Sequence, residues 1–520
     1  MRALSLRTTV ATAVIATAVL AMTQIGLPAA QATAASQTRG VPGPSAVGKR
    51  VDTRQLPPIK GDTPQQVRQI PRLYPVDASA FGQMKAAANE AAAAQAHRPG
   101  SGSSTSSTTG IDTLNFTQTG GWNPPDAGFA VGPSSILVAL NEAYAIYDKT
   151  SGALLQGPIS FGTLFGTSDS VFDPRAIYDN GSGRFVISTT SQNTSTNSSN
   201  FMLAVSQDED PQTSGWCTYE IDAVTGSGSS AAWADFPGLG MDGNNLYITS
   251  NQFGFSGNGF QFARVLTIPK ASAYPTSTGG CPTETSTDYQ GLLNPDGSTA
   301  FAVQPANQFG AAPGSTTPMY FVNALWSSGS QLVVRSTNDL GLPHSVIVAP
   351  YTMPADAPQP GHGAKPIDTG DDRLLGAVFA NNTIYTSNTT GSVSSRLSSS
   401  PNPYANAQWY AINVGSDIAT SKAITNSGVA YYFPAVAPAS SGAVAVEVSG
   451  SSSKQPASAF YVSGSGTPTK YAGGVSGYTL ASRWGDYGAA APDPSDGSIW
   501  VLGEYAKYTG GWGTAVAHVP

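Results

Sequence analysis

Charge is scarce in this chain, so the places where it gathers are the first candidates for chemistry. Asp and Glu number 32 and Lys and Arg 25 among 520 residues. Four acids share a setting. Asp126 in PPDAGFAVGP, Asp173 in FDPRAIYD, Asp235 in ADFPGLGMD and Asp486 in RWGDYGAAAPDP each stand just before or at the start of a run of small and apolar residues. Three chemistries suit acids so placed. A carboxylate at a strand start accepts backbone N–H bonds in an Asx-turn and ties neighbouring elements together. A ring of carboxylates with loop carbonyls supplies the six to eight oxygens of a Ca²⁺ site. Two acids at a suitable separation hydrolyse or eliminate a glycan. All four are therefore candidate catalytic or Ca²⁺-binding residues.

Arg483 and Trp484 lie just upstream of Asp486 and are the candidate ligand-binding pair. A guanidinium fork holds a carboxylate bidentately, either on a uronate or sialate ligand or in a salt bridge to Asp486 or Glu504. Trp484, Trp216, Trp233 and Trp500 have the ring to stack on a sugar or to pack a core, and Glu504 and Tyr505 end a strand. Other catalytic patterns are absent. There is no G-x-S-x-G elbow, H-E-x-x-H, Walker-type loop or sialidase S-x-D-x-G-x-T-W box. Of the four histidines, His97, His344, His362 and His518, only His344 and His362 could serve a triad, and neither has a recognisable setting.

The acids need elements that bring them together, and one phrase recurs along the chain. It begins at Pro125, Phe172, Ala234, Ser298, Arg373, Tyr432 and Gly485. Each copy gives a strand of small and apolar residues, a polar turn and a second alternating strand, which is a hairpin pattern. The Ser298 copy carries a longer insertion. Copies recur about every 60 residues, longer than the usual blade repeat of about 40–50. A later strand such as AYAIYDKTSGAL or QWYAINV brings the count to four, as in a propeller blade. Small residues suit innermost strands crowded around a channel. The expected fold is an all-β propeller over 111–520, seven-bladed, with six or eight as alternatives. Its leading strands would carry the four acids to one channel mouth.

Before that domain, residues 1–32 read as a secretory signal peptide: Arg2 and Arg7, an apolar run from Thr8 to Met22, then Ala30-Gln31-Ala32. Residues 33–110 form a Pro-, Ala- and Ser-rich spacer or pro-segment. It includes one Ala-rich helix, capped by Asp77 or Ser79 and stopped at Pro99-Gly100. After export, Cys217 and Cys281 are expected to form a disulfide, closing a loop of about 64 residues and stabilising by about 3–4 kcal/mol. A net charge of −7 excludes a nucleic-acid partner and gives no attraction to anionic membranes. The expectation is a secreted, monomeric chain with no membrane insertion, whose partner is an extracellular glycan or protein.

PPDAGFAVGP, DPRAIYD, DFPGLGMD and RWGDYGAAAPDP resemble motifs of a broad group of secreted bacterial β-propeller proteins. In that group the first motif tends to read P-P-D-T-x-G-x-V-G-P and the last R-W-G-D-Y-S. The resemblance covers about residues 110–520 and implies export and a propeller, with no settled activity and so no catalytic residue to carry over. Ala127 and Gly488 replace the Thr and Ser of those motifs, so no hydroxyl serves a site there. Ligand binding at the channel mouth is the first expectation. Polysaccharide hydrolysis or lysis by the four acids with Arg483 is the alternative.

Overall fold

The computed structural model describes residues 38–60, 67–95, 106–257, 259–361, 363–391, 403–426, 428–464, 466–507 and 510–520. The expected signal peptide, the helix stop at Pro99-Gly100, His97 and His362 lie outside them. Within them the chain is a β-propeller. Seven successive units of four antiparallel strands follow one another. The first is Gly128–Val131, Ser135–Leu140, Ala143–Asp148 and Leu154–Ser160. Inner strands of the following units are Ser170–Asp179, Ala232–Met241, Gln304–Asn307, Leu374–Ala380, Ala430–Pro438 and Ala489–Pro492. Each inner strand neighbours the next, and the last returns to the first, so the inner strands enclose an axis. In the seventh unit the outer strand is Ile111–Asn115, from the other end of the domain, paired with Trp512–Val519.

The units stack face to face, and every junction is a cluster of buried side chains. Tyr144, Ile146 and Ile187 pack with Trp216 between the first and second units. Leu203, Tyr219 and Ile248 pack between the second and third. Full burial of one such aliphatic side chain contributes about 1.5–3 kcal/mol, and this repeated contact is what fixes the angle between sheets. Small residues lead each unit because the backbones converge. A Cβ added at Gly128 would stand 2.8 Å from the Pro174 carbonyl oxygen, and one at Gly238 2.6 Å from Pro305 Cδ.

The inner strands share a local irregularity. Pairing with the second strand is interrupted between Phe172 and Arg175, Asp235 and Gly238, Leu374 and Ala377, and Tyr432 and Ala435. At or beside these bulges, or at the matching place in other units, Asp126, Asp173, Phe236, Ala302 and Phe433 have φ of 45°, 55°, 50°, 51° and 54°. Non-glycine residues in this left-handed region are strained and need their neighbours to hold them. The preceding unit does so for four of them. Asn141 Oδ1 accepts from Asp173 N (2.7 Å), Asp173 Oδ2 from Phe236 N (3.2 Å), Asn251 Oδ1 from Ala302 N (2.8 Å) and Thr389 Oγ1 from Phe433 N (2.9 Å).

The N-terminal segment, expected as a spacer or pro-segment, is stitched to the propeller. Lys49–Val51 extends the second unit beyond Trp216–Asp222, Val41–Pro42 extends the third beyond Thr287–Gln290, and Ser106–Ser107 extends the sixth. Outer strands offer unpaired backbone groups, and an extended segment satisfies them. The Ala-rich helix is Ala78–Gln95, and Asp77 caps it as expected by accepting from Ala80 N at 2.8 Å. Cys217 and Cys281 are disulfide-bonded. No helix among the described residues is long and apolar enough to cross a membrane.

Candidate functional site

The four acids named from the sequence meet where the inner strands begin. One carboxylate oxygen from each of Asp126, Asp173 and Asp486 lies within 4.8 Å of the other two, and all three are buried. Asp235 is buried in the same charge cluster, close enough to act electrostatically on Asp173 and to feel Asp486.

Their oxygens are largely committed. Asp126 Oδ1 accepts from Asp486 N and Oδ2 from Asn141 Nδ2, both at 2.7 Å. The first bond ties unit one to the loop entering unit seven and leaves no room for a substrate between those residues. Asp173 Oδ2 holds Phe236 N, while Oδ1 has no partner among the described residues. Asp486 Oδ2 accepts from Arg483 Nη2 at 2.8 Å, and Oδ1 from Arg72 Nε at 2.7 Å. A Ca²⁺ ion does not fit this arrangement. It needs six to eight free oxygens, whereas two guanidinium groups already neutralise Asp486.

Electrostatics divides the group. Burial, then Asp486 and Asp173, push Asp126 well above the usual carboxylate range. Burial and then Asp235 push Asp173 up to about 8, and burial and then Asp486 push Asp235 up to about 7. For Asp486 burial also acts upward, but Arg483, Arg72 and Arg373 together bring it below its ordinary value. The cluster therefore surrounds one anion, Asp486, with carboxyl groups that keep their protons to higher pH than usual.

Arg483 is buried and salt-bridged to Asp486, one of the two roles its position allowed; its Nε and Nη1 meet no acceptor among the described residues. Trp484 is fully buried, edge-on to Tyr478 at 4.9 Å between ring centroids, and donates Nε1–H to Ser449 Oγ at 3.1 Å. It has no free face for a sugar, which corrects the ligand-stacking expectation. Trp216 packs against Tyr144, Trp500 donates to Asp493 at 3.0 Å, and Trp233 lies against Phe172. Glu504 is buried beside Asp126 and shifted upward, first by burial. His344 faces Asp417 at 3.1 Å on the surface, with no serine in the pair.

The sequence reading missed the cations and acids that complete the mouth. Arg72, from the N-terminal segment, enters between Asp486, Asp368 (3.2 Å) and the Gly485 carbonyl. Arg373 pairs with Asp371 at 2.7 Å and donates to the Leu73 carbonyl at 2.7 Å. Burial and then Asp371 push Asp372 up to about 8. Asp371-Asp372 directly precedes the Arg373 copy of the repeat, so the repeat itself pointed there. Across the axis, Arg175 lies 3.3 Å from the Tyr487 ring centroid and donates to the carbonyls of Pro237 (3.0 Å) and Leu375 (3.1 Å). Beyond it the inner strands surround a channel with a cavity of about 100 Å³, its polar lining including Arg175, Gln304, Asn307 and Ser387.

No protein-family model matches the chain, and no curated protein is significantly similar to it. Among solved structures it is similar to a sialidase of Trypanosoma rangeli, with TM-score 0.36 and 8% identity over 76% of this chain. The chain spans 58% of that sialidase's length. It is also similar to an alpha-L-arabinofuranosidase of Fusarium graminearum in complex with arabinobiose, with TM-score 0.35, 10% identity and 80% and 98% of the two chains covered. A third is an alpha-L-arabinanase of Penicillium chrysogenum, with TM-score 0.32, 12% identity and 81% and 99% covered. No residue here takes a role from them.

Proposed function

We propose that this is a secreted propeller that binds an extracellular ligand, glycan or protein, at its channel mouth. One observation carries the reading: the mouth already holds a peptide. Arg68–Gln69 pairs in parallel with Trp122–Asn123, Ile70 buries against Trp122 and Phe172, and Arg72 fills the acid cluster. A surface that seats an extended segment by strand pairing, an apolar anchor and a charged anchor has the parts of a peptide receptor. The carboxylates support this reading, because Asp126 and Asp486 are committed to backbone and guanidinium groups. Export is supported by the signal-peptide pattern and by the disulfide.

Binding is tested by retention of the purified protein on polysaccharide panels and extracellular protein fractions, with released sugar ends measured in parallel. Retention without product is expected; release of product overturns binding as the sole activity.

A second reading, glycan hydrolysis or lysis, rests on Asp173. Its free Oδ1 and raised pKa give it a proton to donate at neutral pH. That reading requires the mouth to open. It is tested by the same panel with Asp173→Asn, whose loss of product would identify the acid.

A further inference from the structure

The contacts around Arg72 form a built pocket. Nε donates to Asp486 Oδ1 at 2.7 Å, Nη1 to Asp368 Oδ2 at 3.2 Å, and Nη2 to the Gly485 carbonyl. The guanidinium carbon lies 5.3 Å from the Phe433 ring centroid. Three acceptors in a planar fork with an aromatic ring alongside are what a guanidinium recognises and an ammonium does not.

The propeller supports these groups without help from Arg72. Asp486 Oδ2 is fixed by Arg483 and its backbone N–H by Asp126. Asp368 Oδ1 accepts from Gly370 N at 2.9 Å, and Phe433 N is held by Thr389. Gly370 has φ +72° and no Cβ, which would stand 3.0 Å from Arg72 Nη1. Withdrawing Arg72 would thus leave a shaped, acid-lined hole.

The segment that delivers Arg72 has two parts: Ile70 and Leu73 pack on buried apolar side chains, and the helix that follows is held mostly by polar contacts. That helix, Ala78–Gln95, buries only Phe81, Lys85 and Ala92. Lys85 Nζ donates to the carbonyls of Pro354 (3.0 Å) and Gly370 (2.8 Å), and Asn89 exchanges two hydrogen bonds with Asp356. An element with so little apolar contact opens more readily than the sheets under it.

We infer that the pocket of Asp486, Asp368, the Gly485 carbonyl and Phe433 is a guanidinium receptor, filled in cis by Arg72, and that an arginine of a partner polypeptide takes the same place when segment 67–95 withdraws. The inference rests on the ligand-binding reading above and narrows it from glycan or protein to an arginine-bearing polypeptide.

The experiment uses full-length Arg72→Ala, titrated with millimolar methylguanidinium and, separately, methylammonium, and read by thermal unfolding. The expected result is a saturable rise in melting temperature of at least about 2 °C with methylguanidinium. Methylammonium should give none, and neither should methylguanidinium with wild type or with Arg72→Ala/Asp486→Asn. A peptide of sequence VRQIPRLYPV should compete with methylguanidinium on Arg72→Ala, and the same peptide with its second arginine replaced by alanine should not. An equal response to both cations, or no response, overturns the inference. Competition by both peptides also overturns it. If Arg72→Ala fails to fold in plain buffer, refolding yield with each cation gives the same decision: a gain selective for methylguanidinium supports the pocket, and no selective gain refutes it. Retention on a polysaccharide alongside a negative cation test would leave ligand binding standing and remove only the arginine.

Discussion

Asp486 is the residue on which the mouth's charge balance turns, because it is the anion between two buried guanidinium groups. Replacing it with Asn leaves Arg72 and Arg483 under-compensated, and breaking a buried pair in this way costs about 3–5 kcal/mol. Asp173→Asn should cost far less at neutral pH, since the amide oxygen still accepts from Phe236 N and a mostly protonated acid is lost. Denaturant unfolding of the two variants beside wild type gives the comparison; equal losses would contradict the assignment of charge. The raised acids also set a pH dependence. Asp173 and Asp235 bind protons in the folded state up to about 8 and about 7, but release them near 4 when unfolded. Between those limits the folded state holds more protons, so stability falls as pH rises, by up to about 1.4 kcal/mol per pH unit for each group. Melting temperature should therefore be higher at pH 5 than at pH 8. Asp173→Asn/Asp235→Asn should flatten the slope, and an unchanged slope in that variant would place the titration elsewhere.

At the scale of elements, the hairpins were legible and the bulges were not. Alternation and polar turns are local signals, and all seven copies of the phrase became inner and second strands, with the Ser298 copy's insertion separating Gln304–Asn307 from Tyr320–Ala324. The left-handed residues left no such mark. Asp, Phe and Ala occupy them instead of Gly, because side chains of the preceding unit hold their backbones. Arg72 was also hidden, lying in the unpatterned, Pro-rich VRQIPRLYP with its main partner 414 residues away. The sequence hint was indirect, in four gathered acids with one obvious arginine among them. Two elements carry predictions of their own. Lys85→Met removes the helix's main polar anchor, so limited proteolysis within 67–95 should quicken several-fold while the melting temperature of the sheets barely moves. Cys217→Ala/Cys281→Ala reopens the bridged loop and should lower stability by about 3–4 kcal/mol, measured against the oxidised wild type.

For the whole molecule, the governing fact is that the ring is closed by strands from both ends of the domain. Ile111–Asn115 completes the seventh unit through Gly513↔Asn115, Ala515↔Asp112 and Val516↔Ile111, and Thr113 and Thr514 hydroxyls meet at 2.7 Å. A closed ring has no free inner edge, and each unit is stabilised chiefly by its two neighbours, so losing one outer strand exposes a sheet edge and a stripe of core. The segment before residue 108 differs in kind, since it adds fifth strands and a plug to units that already have four. This distinction separates two truncations only nine residues apart. A chain beginning at Thr108 keeps the closing strand and should still unfold in a cooperative transition, at a lower temperature because Arg72 is gone. A chain beginning at Thr117 lacks the closing strand and leaves Trp512–Val519 as an open edge, so it should aggregate or unfold without cooperativity. Circular dichroism melts and light scattering of the two chains decide the matter. Equal cooperativity would mean that the ring does not depend on its closing strand.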